Sequence, residues 1–457
     1  MRKLILLFLL LSSSIIAQMF STEKVLQDAE FIFKKLKDVH PNIFHELSET
    51  QAQSEFAKLK LQLQTQEQWE IREIFKVLSG FVAQFKDGHT YLSITDQFSE
   101  YLNDKGKVVP IFISFGDEEI TILADVEGKI TEPSILVSLN GVFARELREE
   151  ILKTISYERL PFAYARASAL FHLFCWVLFG EQETYEIEYL TKEGTVQKIT
   201  LQSVNFEDYK TRRDQINLSK QKLWDFAVID ETTAILTINT FSSSYEEDLK
   251  QFIKQSFEQL KSKGAKNLII DLRKNGGGSS QLGEYLYSFI SDKPYRMYAE
   301  VHVRYSDDAI KKLKIFDPIL LFRVKVLNQQ TIVSKNDFKK PKKNDLLFNG
   351  DVFVLVGPQT FSAATDFAAM VKDLAVATIV GEETGGLASC YGDVLTLTLP
   401  NTKLNLGISF KYFLRCGGFD DKRGVLPDII VYADQQATVK GIDQAVQAVL
   451  DLLNSEK

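Results

Sequence analysis

Apolar positions change rhythm along the chain, and the changes divide it. Val25, Ala29, Phe31, Ile32, Leu36 and Val39 recur at roughly helical spacing and stop at His40-Pro41, where proline ends the pattern. Gln51 to Leu63 and Trp69 to Phe85 repeat the amphipathic rhythm, so residues 22–95 predict an N-terminal helical domain. Residues 96–205 turn towards strands. Three are predicted, at Val108–Phe115, Ile120–Leu123 and Ile135–Gly141, with a helix over about 144–154, an apolar helix over about 163–179, and a hairpin around Thr191-Lys192-Glu193-Gly194. From 206 to 457 strands alternate with helices: strands at Ala234–Asn239, Asn267–Leu272 and Val352–Val356, helices at Tyr245–Lys263, Gln281–Ile290 and Ala363–Asp373. That alternation predicts an α/β core, a sheet covered by helices.

The first residues read differently. Arg2 and Lys3 precede an apolar run, Leu4 to Leu11, and then small residues leading to Ala17-Gln18. This is the pattern of a secretory signal over 1–17, with cleavage expected after Ala17 and no membrane span left behind. The apolar core is shorter than the ~20 residues a spanning helix needs. Export implies a periplasmic or extracellular location and oxidising conditions, under which Cys390 and Cys416 become candidates for a bridge. Cys175, inside the apolar helix, is expected to be buried and inert.

Composition removes whole classes. With 45% hydrophobic and 25% charged residues the chain is neither disordered nor a many-span membrane protein. A net charge of −7 without a basic stripe argues against nucleic acid as a partner. Three cysteines with no C-x-x-C pair give neither a disulfide framework nor a zinc or redox site. G-x-S-x-G, H-E-x-x-H, G-x-x-x-x-G-K-[ST] and G-x-G-x-x-G are all missing from the sequence. No metal or organic cofactor is implied.

Three places carry candidate chemistry. Leu268–Leu272 runs straight into Arg273-Lys274-Asn275-Gly276-Gly277-Gly278, a turn nearly bare of side chains, where backbone N–H groups approach a ligand closely. It serves equally as a tight strand-to-helix connection, with Asp271 and Arg273 a local charge pair. Val352–Val356 leads through a turn to Ser362 at the start of a helix, which makes Ser362 either a nucleophile beside free N–H groups or an ordinary N-cap. Of the five histidines, His40 and His45 flank a helix end, and His172 and His302 sit in structural settings. His89 follows Asp87-Gly88 on a turn between a helix and Thr90–Ile94.

Together these stretches form an ordered set: Asp271-Leu272-Arg273-x-Asn275-x-Gly277-Gly278, Phe361-Ser362-Ala363-Ala364, Val380-Gly381-Glu382-Glu383-Thr384-Gly385-Gly386, and Gly424-Val425-x-Pro427-Asp428. The set resembles the tail-specific (C-terminal processing) serine peptidase family, over about 206–432. Asp87-Gly88-His89-Thr90 resembles the branch of that family closer to the tricorn protease core. The resemblance implies a crotonase-like mixed sheet for the catalytic domain and a PDZ-like α+β module for 96–205. One departure matters. Family members of the Ser-Lys type carry lysine just beyond the Gly-Glu-x-Thr-x-Gly motif, where this chain has Leu387, and leucine accepts no proton.

In the tricorn-like branch a histidine replaces that lysine. The resemblance therefore implies an exported serine endopeptidase acting on proteins or peptides, with Ser362 as nucleophile and His89 as base. The N–H groups of Gly277 and Ala363 form the implied oxyanion hole. Asp420 is the implied orienting acid, with Asp421 and Glu383 as alternatives. Asp428 is read as structural. Two other readings share the same residues: a non-catalytic binding or scaffold protein on this fold, and a small-molecule esterase or amidase.

Overall fold

The computed structural model describes residues 19–216, 222–313, 331–432 and 442–455, together with Pro318 and Phe322. The expected signal segment and its cleavage point lie outside the described residues.

Strand β1 (Met19–Ser21) runs into helix α1 (Thr22–Val39), whose buried face is Val25, Ala29, Ile32, Phe33, Leu36 and Val39. His40 leaves the helix in an extended conformation, as the residue before a proline must. Helix α2 (Glu49–Leu63) opens on a reciprocal Ser48–Gln51 capping box. Strand β2 (Gln68–Glu70) pairs with β1 and leads into α3 (Ile71–Ala83), followed by β3 (Tyr91–Ser93) and α4 (Thr95–Asn103).

The middle stretch holds β4 (Lys107–Val108), β5 (Ile111–Phe115), β6 (Ile120–Asp125), β7 (Ser134–Leu139) and β8 (Val142–Phe143). Helices α5 (Ala144–Lys153), α6 (Leu160–Ala169) and α7 (Phe171–Phe179) follow, then β9 (Thr184–Leu190), β10 (Val196–Gln202) and β11 (Val204–Asn205). The order β10-β9-β7-β6-β5, with β8 on β7, makes one antiparallel sheet. The single apolar helix expected over 163–179 is two helices, bent by 78°. Leu170 breaks the helical path, and the turn lets α7 bury Phe171 through Val177 on all sides. Among the described residues no single helix is long and apolar enough to cross a membrane.

Helix α8 (Phe206–Gln215) leads into the C-terminal half. Its elements are β12 (Trp224–Val228), β13 (Thr233–Ile238), α9 (Glu246–Lys263), β14 (Asn267–Asp271), α10 (Ser280–Ile290), β15 (Tyr298–Arg304), α11 (Asp307–Lys312) and β16 (Thr331–Lys335). Then come β17 (Asp351–Val356), α12 (Ala363–Asp373), β18 (Thr378–Gly381), β19 (Cys390–Thr398), β20 (Asn405–Arg415), β21 (Ile429–Ile430) and α13 (Gln444–Ser455). The sheet order is β12-β13-β14-β17-β18-β21, with β12 antiparallel to β13 and every other pair parallel, so the sheet is mixed. Alternate residues of β14 enter opposite cores. Leu268 and Ile270 pack with α9, α10 and α12, whereas Ile269 packs with Ala445 and Val449 of α13.

A third sheet, β16-β15-β20-β19, was not legible in the sequence. Its long strand β20 also pairs with β3, Leu406 opposite Leu92. Through that pairing the N-terminal helices, the antiparallel middle sheet and β19–β20 share one hydrophobic core. Asp28, fully buried on α1, fastens the β19–β20 turn by accepting from the backbone N–H and side-chain Nδ2 of Asn401 and the N–H and Oγ1 of Thr402. Replacing Asp28 with Ala strands those donors away from water, and such losses cost about 2–4 kcal/mol. Urea denaturation of Asp28→Ala is expected to show a destabilisation of that order, with an unchanged m-value.

Candidate active site

Strands β14 and β17 are parallel neighbours, so the loops after them emerge side by side at the same edge of the sheet. Arg273 folds back onto Asp271, Nη2 to Oδ2 at 2.6 Å, and reaches Asp443 at 2.6 Å, which fixes the base of the glycine loop as the local charge pair predicted. The two loops are then stitched together. Phe361 N–H donates to the Asn275 carbonyl at 3.0 Å, and Thr360 Oγ1 donates to the Leu272 carbonyl at 2.9 Å. Gly277 has φ +94°, and a Cβ there would lie 2.7 Å from Ser362 Cβ and 3.0 Å from Ala363 N. Only glycine lets this backbone lie against the serine.

Ser362 occupies the first position before α12 with φ 54° and ψ −131°, a conformation L-residues rarely adopt. Strain of this kind costs ~1–3 kcal/mol and persists only where the surroundings impose it. Ser362 stands at the N-cap position, yet its side chain makes no cap hydrogen bond, so the hydroxyl does not serve as an ordinary cap. Among the described residues neither Ala363 N–H nor Gly278 N–H donates to a protein acceptor, whereas Gly277 N–H donates to Asn275 Oδ1 at 2.8 Å. In this structure the Gly277 N–H expected to face an oxyanion is engaged by the Asn275 side chain, which folds back onto it. Glycine at 277 serves close packing.

His89 reaches this edge because β3 pairs with β20. Its ring stacks on Phe361 at 4.4 Å, and Phe361 stacks on Phe162 at 4.3 Å on the other side. Burial lowers the imidazole below its ordinary pKa, outweighing the pull of Asp87, so the ring is a neutral base at pH 7. Both ring nitrogens are buried with no hydrogen-bond partner. The Ser362–His89 hydrogen bond is accordingly not formed in this structure.

None of the three expected orienting acids bonds the imidazole. Asp420 accepts from Tyr412 Oη at 2.9 Å and pairs with Lys422 at 2.9 Å, which draw its loop to the end of β20. Asp421 pairs with Arg415 at 3.3 Å. Glu383 pairs with Arg159 at 2.7 Å and accepts from Gly424 N–H at 2.9 Å. The carboxylate beside His89 is Asp87, whose Oδ1 accepts the backbone N–H of His89 at 2.9 Å and lies 4.0 Å from Nδ1. Its Oδ2 accepts from His40 Nε2 at 3.1 Å, Thr90 Oγ1 at 2.6 Å and Ser409 Oγ at 2.6 Å. Sequence reasoning saw Asp87 only as part of the motif around His89, and placed His40 at a helix end. Glu158 carried no signal at all, yet its carboxyl, with Oε2 buried, lies in the same cluster.

Asp87, His89 and Glu158 bring one potential ligand atom each within 4.8 Å of one another. Asp87 is already saturated by hydrogen-bond donors, so the cluster is arranged for protons rather than for an ion. The remaining residues behave as supports. Asp428 accepts from Ile379 N–H and Lys372, and His172 packs among Phe98, Phe206 and Tyr209. Cys175, Cys390 and Cys416 are free and buried, so the bridge considered for Cys390 and Cys416 is not formed.

Asp87 is fully buried, and its hydrogen bonds to His40 and Ser409, with the charges of the two histidines, hold its carboxyl well below the usual range despite desolvation. Its stabilising contribution is present above the unfolded value of about 4 and is lost as pH falls below it. Asp87→Asn breaks a buried charged network, and changes of that kind cost about 3–5 kcal/mol. Denaturation of wild type and Asp87→Asn should differ by that order at pH 7, with the gap narrowing below pH 4.

Residues 232–431 match the sequence model of peptidase family S41. Among solved structures, mature CPAF complexed with lactacystin has a TM-score of 0.68 at 14% identity, covering 95% of this chain and 99% of that one. Another structure of mature CPAF gives 0.66 at 15% identity, over 92% and 94%. A chain from Parabacteroides merdae described as a candidate peptidase gives 0.50 at 16%, over 95% and 97%. At such identities these likenesses speak for a common fold, and the mixed sheet with its accompanying sheets and helices is that of S41 peptidases. The motifs from Asp271 to Asp428 all lie within the residues that match peptidase family S41, and the chain is a serine-type peptidase.

Proposed function

We propose that this chain is an exported serine endopeptidase that hydrolyses peptide bonds through an acyl-enzyme, with Ser362 as nucleophile and His89 as general base. The observation that carries the reading is the backbone of Ser362. It is held at positive φ against a glycine loop, its hydroxyl is free of any capping role, and the ring of His89 stacks on the preceding residue. Leu387 leaves no lysine at the family's other position for a base, so we place the chain in the histidine-using, tricorn-like branch. We read 96–205 as a PDZ-like module and the mixed sheet as a crotonase-like core. Export rests on the signal pattern of residues 1–17.

In this scheme Ser362 Oγ attacks the scissile carbonyl carbon as its proton passes to His89. The developing oxyanion is met by Ala363 N–H at the start of α12, with Gly278 N–H as the next free donor along the glycine loop. The C–N bond then breaks as His89 returns the proton to the leaving amine, and water repeats the sequence on the acyl-serine. Asp87 holds negative charge 4.0 Å from Nδ1 and favours the imidazolium that forms between the two transfers. Substrate binding closes the Ser362–His89 gap, as catalytic hydrogen bonds tighten in Michaelis complexes.

A fluorophosphonate probe tests the scheme directly. Wild type should be labelled, Ser362→Ala should not, and His89→Ala should label at least ~10³-fold more slowly. Labelling of His89→Ala at the wild-type rate would remove the histidine from the mechanism. The labelling rate of wild type should also show an acid limb that lies below pH 6.5, since burial lowers the imidazole and the neutral base survives to that point. A limb confined to pH above 8 would contradict a histidine base. Hydrolysis of a fluorogenic casein, but not of simple esters alone, separates a peptidase from a small-molecule esterase.

A further inference from the structure

The base of this site has an unpartnered edge. Both nitrogens of His89 are buried without a hydrogen bond, although an imidazolium must donate from both. One N–H of that ion faces the serine or the leaving amine. The other needs an acceptor inside the protein, and Asp87 Oδ1 is 4.0 Å from Nδ1 while already engaged by the His89 backbone. A second oxygen in the same place is also without a partner: Glu158 Oε2 is buried and unbonded. An oxygen of Glu158, a ring nitrogen of His89 and an oxygen of Asp87 all lie within 4.8 Å of one another.

Glu158 comes from the turn between α5 and α6, far from His89 in sequence, and the chain fixes it there from both sides. Arg159 binds Glu383 at 2.7 Å and the Thr384 carbonyl, which docks the turn onto the catalytic loop. Phe162, four residues after Glu158, stacks on Phe361 at 4.3 Å. The fit is tight at the other end too. A Cβ at Gly88 would lie 2.6 Å from Glu158 Oε2 and 3.0 Å from Phe361 Cζ, so only glycine before His89 admits this carboxyl.

We infer that Glu158 is a positioning residue for His89, whose buried carboxyl accepts the N–H of the imidazolium formed when Ser362 loses its proton. The inference rests on the Ser362–His89 reading. No bond is made or broken at Glu158. The serine proton goes to His89 and on to the leaving group, and Glu158 supplies an acceptor that keeps the ring aligned meanwhile.

The surroundings set its charge. Burial first, and then the negative charge of Asp87, push Glu158 up to about 8. The groups around the cluster are Asp87 with His40 behind it, His89 itself, Arg166 of α6, and Cys390 and Asp393 of β19; the Arg159 guanidinium is turned away onto Glu383. Near pH 7 the carboxyl is therefore neutral and offers a carbonyl-type acceptor. Above about 8 it ionises, places a second negative charge beside the imidazole and makes the ring a stronger base.

The test is the pH profile of fluorophosphonate labelling for wild type, Glu158→Gln and Glu158→Ala, with urea denaturation of each. Glutamine keeps the neutral acceptor and cannot ionise. It should label within about threefold of wild type at pH 7 and lack the further rise that wild type shows around pH 8. Glu158→Ala should label at least tenfold more slowly at pH 7. A rise near pH 8 that persists in Glu158→Gln, or a Glu158→Ala that labels like wild type, would overturn the inference. If Glu158→Ala fails to fold, the Glu158→Gln profile decides alone. Wild type that is not labelled, or is labelled independently of His89, defeats the Ser362–His89 reading instead, whatever the Glu158 variants do.

Discussion

The active edge depends on one buried carboxylate. Asp87 has no solvent to share its charge, and it is held by donors from three separate parts of the chain: His40 at the end of α1, its own turn through Thr90 and the His89 backbone, and Ser409 of β20. An isolated charge in that position is prohibitively unfavourable, and the surrounding donors are what make it tolerable. The same bonds align the helical N-terminus with the sheet that brings His89 to the serine. His40 takes part through Nε2 while its Nδ1 accepts Asn42 N–H, so its ring is oriented from both sides.

A second constraint is steric. Motif glycines on both sides of the active edge sit where a neighbouring group lies closer to the backbone than a Cβ allows. Gly277 admits Ser362, and Gly88 admits Glu158 and Phe361. The Thr384 hydroxyl adds a polar tie, donating to the Gly386 carbonyl and accepting Val425 N–H. The motif glycines and threonine therefore press the serine turn into its strained backbone, and the hydroxyl stays free for chemistry.

Local chemistry wrote much of this into the sequence. The stop of α1 at His40-Pro41, the strands leading to the glycine loop and to Ser362, and the helix after Ser362 all follow from periodicity and turn residues. Ser362 and His89 were readable because each sits within a short motif. What failed involved the path of a chain already judged apolar or unpatterned. Residues 163–179 were expected as one helix and form two, because an all-apolar stretch gives no phase to say where a bend buries it best. Strands β19 and β20 were missed, though their pairing carries β3 and His89 into place.

The sequence by itself singled out Ser362, His89, the glycine loop and the leucine at 387, since each is encoded within a few neighbouring residues. The tertiary structure alone decided which carboxyls surround His89 and which backbone N–H groups are free. Asp420, Asp421 and Glu383 are near the right motif in sequence but are drawn to Tyr412, Lys422, Arg415 and Arg159. Asn275 likewise captures the N–H of Gly277. A carboxylate goes where donors and low solvent access stabilise it, and those are set by chain segments hundreds of residues apart. That is why Asp87 and Glu158, rather than the acids beside the family motif, ended up next to His89.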